Sequence, residues 1–152
     1  MEKSVLFVCT GNTCRSPLAE VWFNKCAAEA GLSGYQAGSA GLFAQDGSGA
    51  SANSRMVAAE NGVSLEDFRS RTLTYEMVRD AVLIVGLTDG HCRKIVAAVP
   101  EASCKVRRMM EFAGEGSDVV DPCGGTADDY RRAFAAISKA VENLVEQLKQ
   151  DI

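Results

Sequence analysis

The stretch Val5–Ser16, VLFVCTGNTCRS, constrains the fold of this chain more than any other. Val5 to Val8 is a short apolar run with the length and β-branched content of a buried strand, and it breaks off at Cys9. Thr10-Gly11-Asn12-Thr13-Cys14 is a small, polar turn that ends on Arg15. Ser16-Pro17 reads as a helix start, because serine caps orphan amides and proline tolerates the first helical position. A cysteine at a strand's end, followed by backbone amides curling toward a helix N-terminus, suits a tetrahedral anion such as phosphate.

A thiol held beside a helix N-terminus and an arginine is stabilised as the thiolate, which is the nucleophile. Arg15 adds a planar fork of donors that matches two phosphate oxygens, both in the ground state and as charge shifts during transfer. Cysteine, five residues and arginine form a weak pattern alone. A strand before it, a glycine inside it and Ser-Pro after it make it specific; the bland alternative is a buried cysteine and a surface arginine at an ordinary strand–helix turn. Thr10, Gly11, Asn12, Thr13, Cys14, Arg15 and Ser16 are the expected phosphate-binding residues. Asn12 tolerates left-handed backbone and would hold the loop's shape, and Ser16 would hydrogen-bond the Cys9 sulfur.

The remaining apolar runs and turn signals alternate. Pro17–Ala30 has a broad apolar face for a helix, with Trp22 and Cys26 read as packing, and Gly31 stops it. Gly34–Ser39 is a short second strand, followed by Ser39-Ala40-Gly41 and a loop over Leu42–Ala52 that carries one aromatic, Phe43. Ser39 is placed to brace the phosphate loop or to be a plain turn serine. Phe43 either walls the cleft or packs inward. A helix over Ser51–Asn61 ends at Gly62, Asp67–Thr74 reads as a solvated stretch carrying Arg69 and Arg71, and Thr74 caps Tyr75–Arg79.

Ala81–Val85 suits a central parallel strand, Thr88-Asp89 opens a helix through Val99, and Ser103–Val106 is an expected edge strand. A loop over Gly114–Asp118 and Val119-Val120 lead to Asp121-Pro122, and Thr126 caps a last helix with an apolar stripe from Tyr130 to Ile152, all read as core. The expectation is a single doubly wound α/β domain over residues 1–152, with about four parallel strands and helices on both faces. Ligands in such sheets bind beyond the strands' carboxyl ends, where Cys9 falls.

Composition narrows the function. The 152 residues are 47% hydrophobic and 24% charged, enough for one sizeable core. A net charge of −4 argues against a surface built for nucleic acid. No apolar run approaches the roughly 20 residues that span a bilayer, and MEKSVLFV enters a strand without the long apolar region of a signal peptide, so a soluble, cytoplasmic protein is expected. The 6 cysteines sit in apolar or helical contexts and are expected as free thiols. Metal ligation is not expected, since Cys9 and Cys14 have no second close pair and the sole histidine, His91, reads as a surface helix residue beside Cys92.

Phosphoryl transfer through a cysteine also needs an acid for the leaving group. Asp121 is the candidate: Pro122 fixes the backbone after it, and Gly124-Gly125 let the segment approach a cleft. Asp-Pro by itself commonly marks only a turn. In the expected cycle Cys9 attacks phosphorus while Asp121 donates a proton, and Asp121 then acts as base on the water that hydrolyses the phosphocysteine. It requires no metal and no cofactor.

VLFVCTGNTCRSPLAE resembles the signature of low-molecular-weight protein phosphatases, and the likeness extends to Ser39-Ala40-Gly41 and Asp121-Pro122, so it spans nearly the whole chain. The resemblance implies catalytic Cys9, Arg15 and Asp121, a Ser39 that meets Asn12, a monomer, and phosphorylated proteins as partners. It also implies that Cys14 captures oxidised Cys9 as a disulfide, the alternative being a small loop-packing residue. Tyrosine-specific members carry an aliphatic residue after the loop asparagine and aromatics after Asp-Pro; here those positions hold Thr13 and Cys123-Gly124. CTGNTCRSP and the Gly-Gly-Thr after Asp-Pro resemble the bacterial protein-arginine phosphatase branch, in which a polar Thr13 and the Asp121 carboxylate suit a guanidinium. Phosphoarginine is the expected substrate. The alternatives are phosphotyrosine with Phe43 lining the pocket, arsenate reduction relayed through Cys92 and Cys104, and a non-catalytic phosphoprotein-binding module.

Overall fold

In the computed structural model, which describes residues 3–114 and 117–151, the apolar run is the strand β1 (Lys3–Cys9). It pairs in parallel with β2 (Tyr35–Gly41) on one side and β3 (Ala81–Gly86) on the other. A short β4 (Val106–Arg108) completes the order β2-β1-β3-β4, all parallel. Strand alternation divides β1 between two cores. Val5, Phe7 and Cys9 face one layer, built with α1 (Arg15–Glu29), α2 (Ala52–Glu60) and α5 (Ala127–Gln150). Leu6 and Val8 face the other, built with α3 (Tyr75–Asp80) and α4 (Asp89–Ala98). A strand covered on both faces must be apolar throughout, as Val5–Val8 is. The architecture is the doubly wound α/β sheet expected from the sequence.

Two expectations are corrected. The helix α1 starts at Arg15 with Cys14 at the cap position and no side-chain cap. Ser16 lies inside the first turn, because its hydroxyl is directed at Cys9. The edge strand expected at Ser103–Val106 is displaced: Pro100–Lys105 winds as a 3-10 turn, opened by a proline whose φ suits it, and the strand is only Val106–Arg108. The caps at Thr74, Thr88 and Thr126 form as read, each hydroxyl accepting from an amide in its own first turn. Trp22 packs edge-on against Phe134, with centroids 5.1 Å apart. The last position of the α5 stripe, Ile152, and residues 115–116 of the 114–118 loop lie outside the described residues. No helix among the described residues is long and apolar enough to cross a membrane.

The carboxyl ends of β1, β2 and β3 meet at one edge. Leu42 N–H donates to the Cys9 carbonyl at 3.0 Å, Leu87 N–H to the Val8 carbonyl at 3.0 Å, and Val119 N–H to the Leu87 carbonyl at 3.1 Å. The last bond draws the Asp121 segment to the edge that holds Cys9.

Candidate active site

The turn after Cys9 is shaped by what its carbonyls do. Those of Cys9, Thr10 and Thr13 accept from the amides of Leu42, Phe43 and Ser51. That of Cys14 accepts from Ser54 Oγ at 3.0 Å. In a trans peptide the next N–H points opposite to the carbonyl. Carbonyls held outward therefore turn the amides of Thr10, Gly11, Cys14 and Arg15 inward, as an anion nest. Asn12 carries the left-handed bend, with φ 56°. Gly41 supplies the room: a Cβ there would lie 2.6 Å from the Thr10 carbonyl oxygen and 2.9 Å from the Asn12 nitrogen.

Cys9 is buried at the strand end, and its Sγ lies 2.9 Å from Ser16 Oγ. The direction of that bond follows from its neighbours. The Arg71 backbone N–H can only donate, and it donates to Asn12 Oδ1 at 2.9 Å. Asn12 Nδ2 therefore donates, to Ser39 Oγ and Ser16 Oγ, both at 2.9 Å. Ser16 has then accepted one proton and donates its own to the sulfur. Ser39 passes its proton to Glu20 Oε1 at 2.7 Å. Burial pushes the Glu20 carboxyl above the usual range, against the Ser39 bond and the Arg71 charge. Ser39 is thus a brace of the loop. Arg71 is exposed as expected, yet its backbone orients Asn12 and its Nε holds the Ser39 carbonyl at 2.9 Å.

Arg15 is 5% exposed, and its Nη1 donates to the Val119 carbonyl at 2.9 Å. Its Nη2 stands 3.6 Å from Asp121 Oδ2. Asp121 is half-exposed at the rim, and its Oδ1 accepts from the Cys123 amide at 3.0 Å. Arg15, one residue before the serine that donates to Cys9, is thus held against both Val119 and Asp121. Thr13 is half-buried, with Oγ1 3.8 Å from Cys14 Sγ. Phe43 does not pack inward. It is 74% exposed, its amide is bound to the Thr10 carbonyl, and Lys94 Nζ lies 5.6 Å from the ring centroid.

Cys14 is buried, and Tyr130 OH lies 3.4 Å from its sulfur. The Tyr130 ring is core as expected, but its hydroxyl reaches the loop; burial, then the Cys14 contact, pushes its pKa up to about 12. Cys123 also touches Cys14, and the Cys14 charge is the main cause raising the Cys123 pKa. Cys123 and Cys104 are exposed, outside the apolar or helical settings expected of every cysteine. Cys92 packs into the second core, on the opposite face of the sheet from Cys9, with its thiol on the Arg107 carbonyl. Cys104 sits on the 3-10 turn. This pair gives Cys9 no relay. Among the described residues no cluster of three His, Cys, Asp or Glu side chains forms a metal site.

His91 is not on the surface. It is 5% exposed, and its Nε2 lies 3.0 Å from Thr10 Oγ1. Burial, then the Arg15 and Lys94 cations, push its pKa down to about 4, against Asp118 and Asp121. An unfolded histidine titrates near 6.5. Between the two values the unfolded chain binds more protons. Unfolding free energy therefore falls as pH drops from about 6.5 to about 4, by up to about 3 kcal/mol, and stays lost below that. Urea midpoints at pH 7 and pH 4.5 measure this: the wild type is expected to lose more stability than His91→Gln, and equal losses would contradict it.

Residues 4–152 match the family described as low molecular weight phosphotyrosine protein phosphatase. The chain is 37% identical to a protein-arginine-phosphatase of Geobacillus stearothermophilus, covering 99% of both chains. It is 34% identical to that of Bacillus subtilis, covering 97% of both. A solved structure of the arginine phosphatase YwlE, a cysteine-to-serine mutant with a phosphorylated active-site serine, superposes with a TM-score of 0.92 at 34% identity, covering 97% of both chains.

Proposed function

The chain belongs to the low molecular weight phosphotyrosine protein phosphatase family, a family of cysteine-dependent phosphatases, and from that premise we propose that it removes phosphate from arginine side chains of proteins. One observation carries the choice of substrate. The polar groups gathered at the loop after Cys9 are a half-buried Thr13 within it and Asp121 against Arg15, with Cys123 touching Cys14, while the aromatic Phe43 stands exposed. A phenol ring requires apolar walls, whereas a guanidinium requires acceptors such as a hydroxyl and a carboxylate. The two relatives named as protein-arginine-phosphatases support the same reading.

In the proposed cycle Cys9 Sγ attacks phosphorus, the P–N bond breaks, and Asp121 protonates the departing guanidine nitrogen. Arg15 and the inward amides hold the phosphoryl oxygens. Asp121 then takes a proton from water, whose oxygen attacks phosphorus and releases Cys9 as thiolate. The phosphorylated active-site residue of the YwlE mutant supports a covalent intermediate. Peroxide would convert Cys9 to the sulfenic acid; attack by Cys14 then expels water and leaves a Cys9–Cys14 disulfide. We take the enzyme to act as a cytoplasmic monomer.

Thr13→Ile tests the substrate reading. The substitution removes the hydroxyl and adds an apolar wall. It is expected to lower kcat/KM on phosphoarginine peptides by about 10-fold or more, while raising that on phosphotyrosine peptides. Parallel changes on both substrates would count against Thr13 as the selector. A purely binding module would instead show no turnover by the wild type and phosphopeptide capture by Cys9→Ser.

A further inference from the structure

His91 has no part in the cycle above, yet it is buried against the residue that follows the nucleophile. Its tautomer can be read from its partners. The Thr88 backbone N–H, which can only donate, meets His91 Nδ1 at 3.2 Å. Thr88 Oγ1 lies 3.0 Å from the same nitrogen and accepts from the His91 amide at 3.2 Å. Nδ1 therefore carries a lone pair, and the proton of the neutral ring is on Nε2. Nε2–H donates to Thr10 Oγ1 at 3.0 Å.

A hydroxyl has one proton, and Thr10 has already accepted from the ring. Its own proton must point away from His91, and Thr10 is exposed, so that proton is available to a bound group. The Thr10 backbone is held as well, by the Phe43 amide at 2.9 Å and by the close approach of Gly41. Backbone and side chain are thus fixed from two different strand ends.

We propose that His91 is a positioning residue: it fixes the Thr10 hydroxyl as a hydrogen-bond donor to a phosphoryl oxygen bound in the loop. The inference rests on the loop binding phosphate and not on which residue bears it.

The chain has 1 histidine, so spectra of enzyme labelled with 15N-histidine report on His91 alone. They are expected to show the Nε2–H tautomer, with ring signals that move when inorganic phosphate is added. His91→Ala and Thr10→Val should each raise the inhibition constant of inorganic phosphate, measured against p-nitrophenyl phosphate, by about 5- to 10-fold. The double variant should be no worse than either, since both remove one bond. His91→Gln, which keeps a donor, should recover part of the loss, and Thr10→Ser should resemble the wild type. A proton on Nδ1, an unchanged inhibition constant in His91→Ala, or additive losses would each overturn the proposal. If His91→Ala fails to fold, the wild-type tautomer and the contrast of Thr10→Ser with Thr10→Val still decide. Failure on phosphoarginine peptides alone would leave it standing.

Discussion

Cys9→Ser is expected to lower kcat/KM on every phosphorylated substrate by a factor of about 10^4 or more, while inorganic phosphate still binds within a few-fold of wild type. The reasoning is local. In the proposed site the loop's amides and Arg15 hold the anion, and neither depends on sulfur. A serine hydroxyl, unlike a thiolate, must lose its proton to a base as it attacks. The Cys9 side chain faces Ser16, which the Asn12 network fixes as a donor. Ser16 donates to the group at position 9 and cannot take a proton from a serine there. Phosphate binding is followed by the change in intrinsic fluorescence or by equilibrium dialysis. Retained turnover would place the nucleophile elsewhere; loss of phosphate binding would mean the substitution had broken the loop.

Asp121→Asn carries the second large effect. Asparagine keeps the oxygen that accepts from the Cys123 amide, so the loop is expected to hold. It can no longer donate the proton that a guanidine leaving group requires. The expected loss on phosphoarginine peptides is about 10^2- to 10^4-fold. On p-nitrophenyl phosphate, whose leaving group departs as a stable anion, the first step should suffer far less. Stability should scarcely change, because Asp121 is half-exposed and its ion pair with Arg15 is screened by water. Equal losses on both substrates would reduce Asp121 to positioning, through its 3.6 Å contact with Arg15.

The parts of the site that lie together in sequence were legible in it. Strand, turn, arginine and helix follow one another from Val5 to Pro17, so local rules reach them all. The exception is the cap: Ser16 reads as a helix signal because serine does cap helices, but here Cys9 and Asn12 compete for its hydroxyl and prevail. Of the parts brought in from afar, Ser39 and Asp121 were singled out by their turns and by the family resemblance, and the others were not legible. Thr10 and His91 are separated by 81 residues, Asn12 and Arg71 by 59, and Cys14 and Tyr130 by 116. Each distant partner sits in a stretch whose local reading is satisfied without it: a helix start, a polar turn, an apolar stripe. One signal for His91 was available. The helix that it opens follows β3, and in a doubly wound sheet that puts its first turn at the same carboxyl edge as Cys9. The edge strand failed differently, because Pro100 allowed a 3-10 turn over residues whose composition fits either state.

The most direct test of the substrate assignment is kcat/KM on two peptides of one sequence, one bearing phosphoarginine and one phosphotyrosine, with Cys9→Ser as the blank. The polar Thr13 and Asp121 beside the loop predict preference for phosphoarginine by at least about 10-fold. Preference for phosphotyrosine would contradict the assignment and make exposed Phe43 the aromatic wall of the pocket.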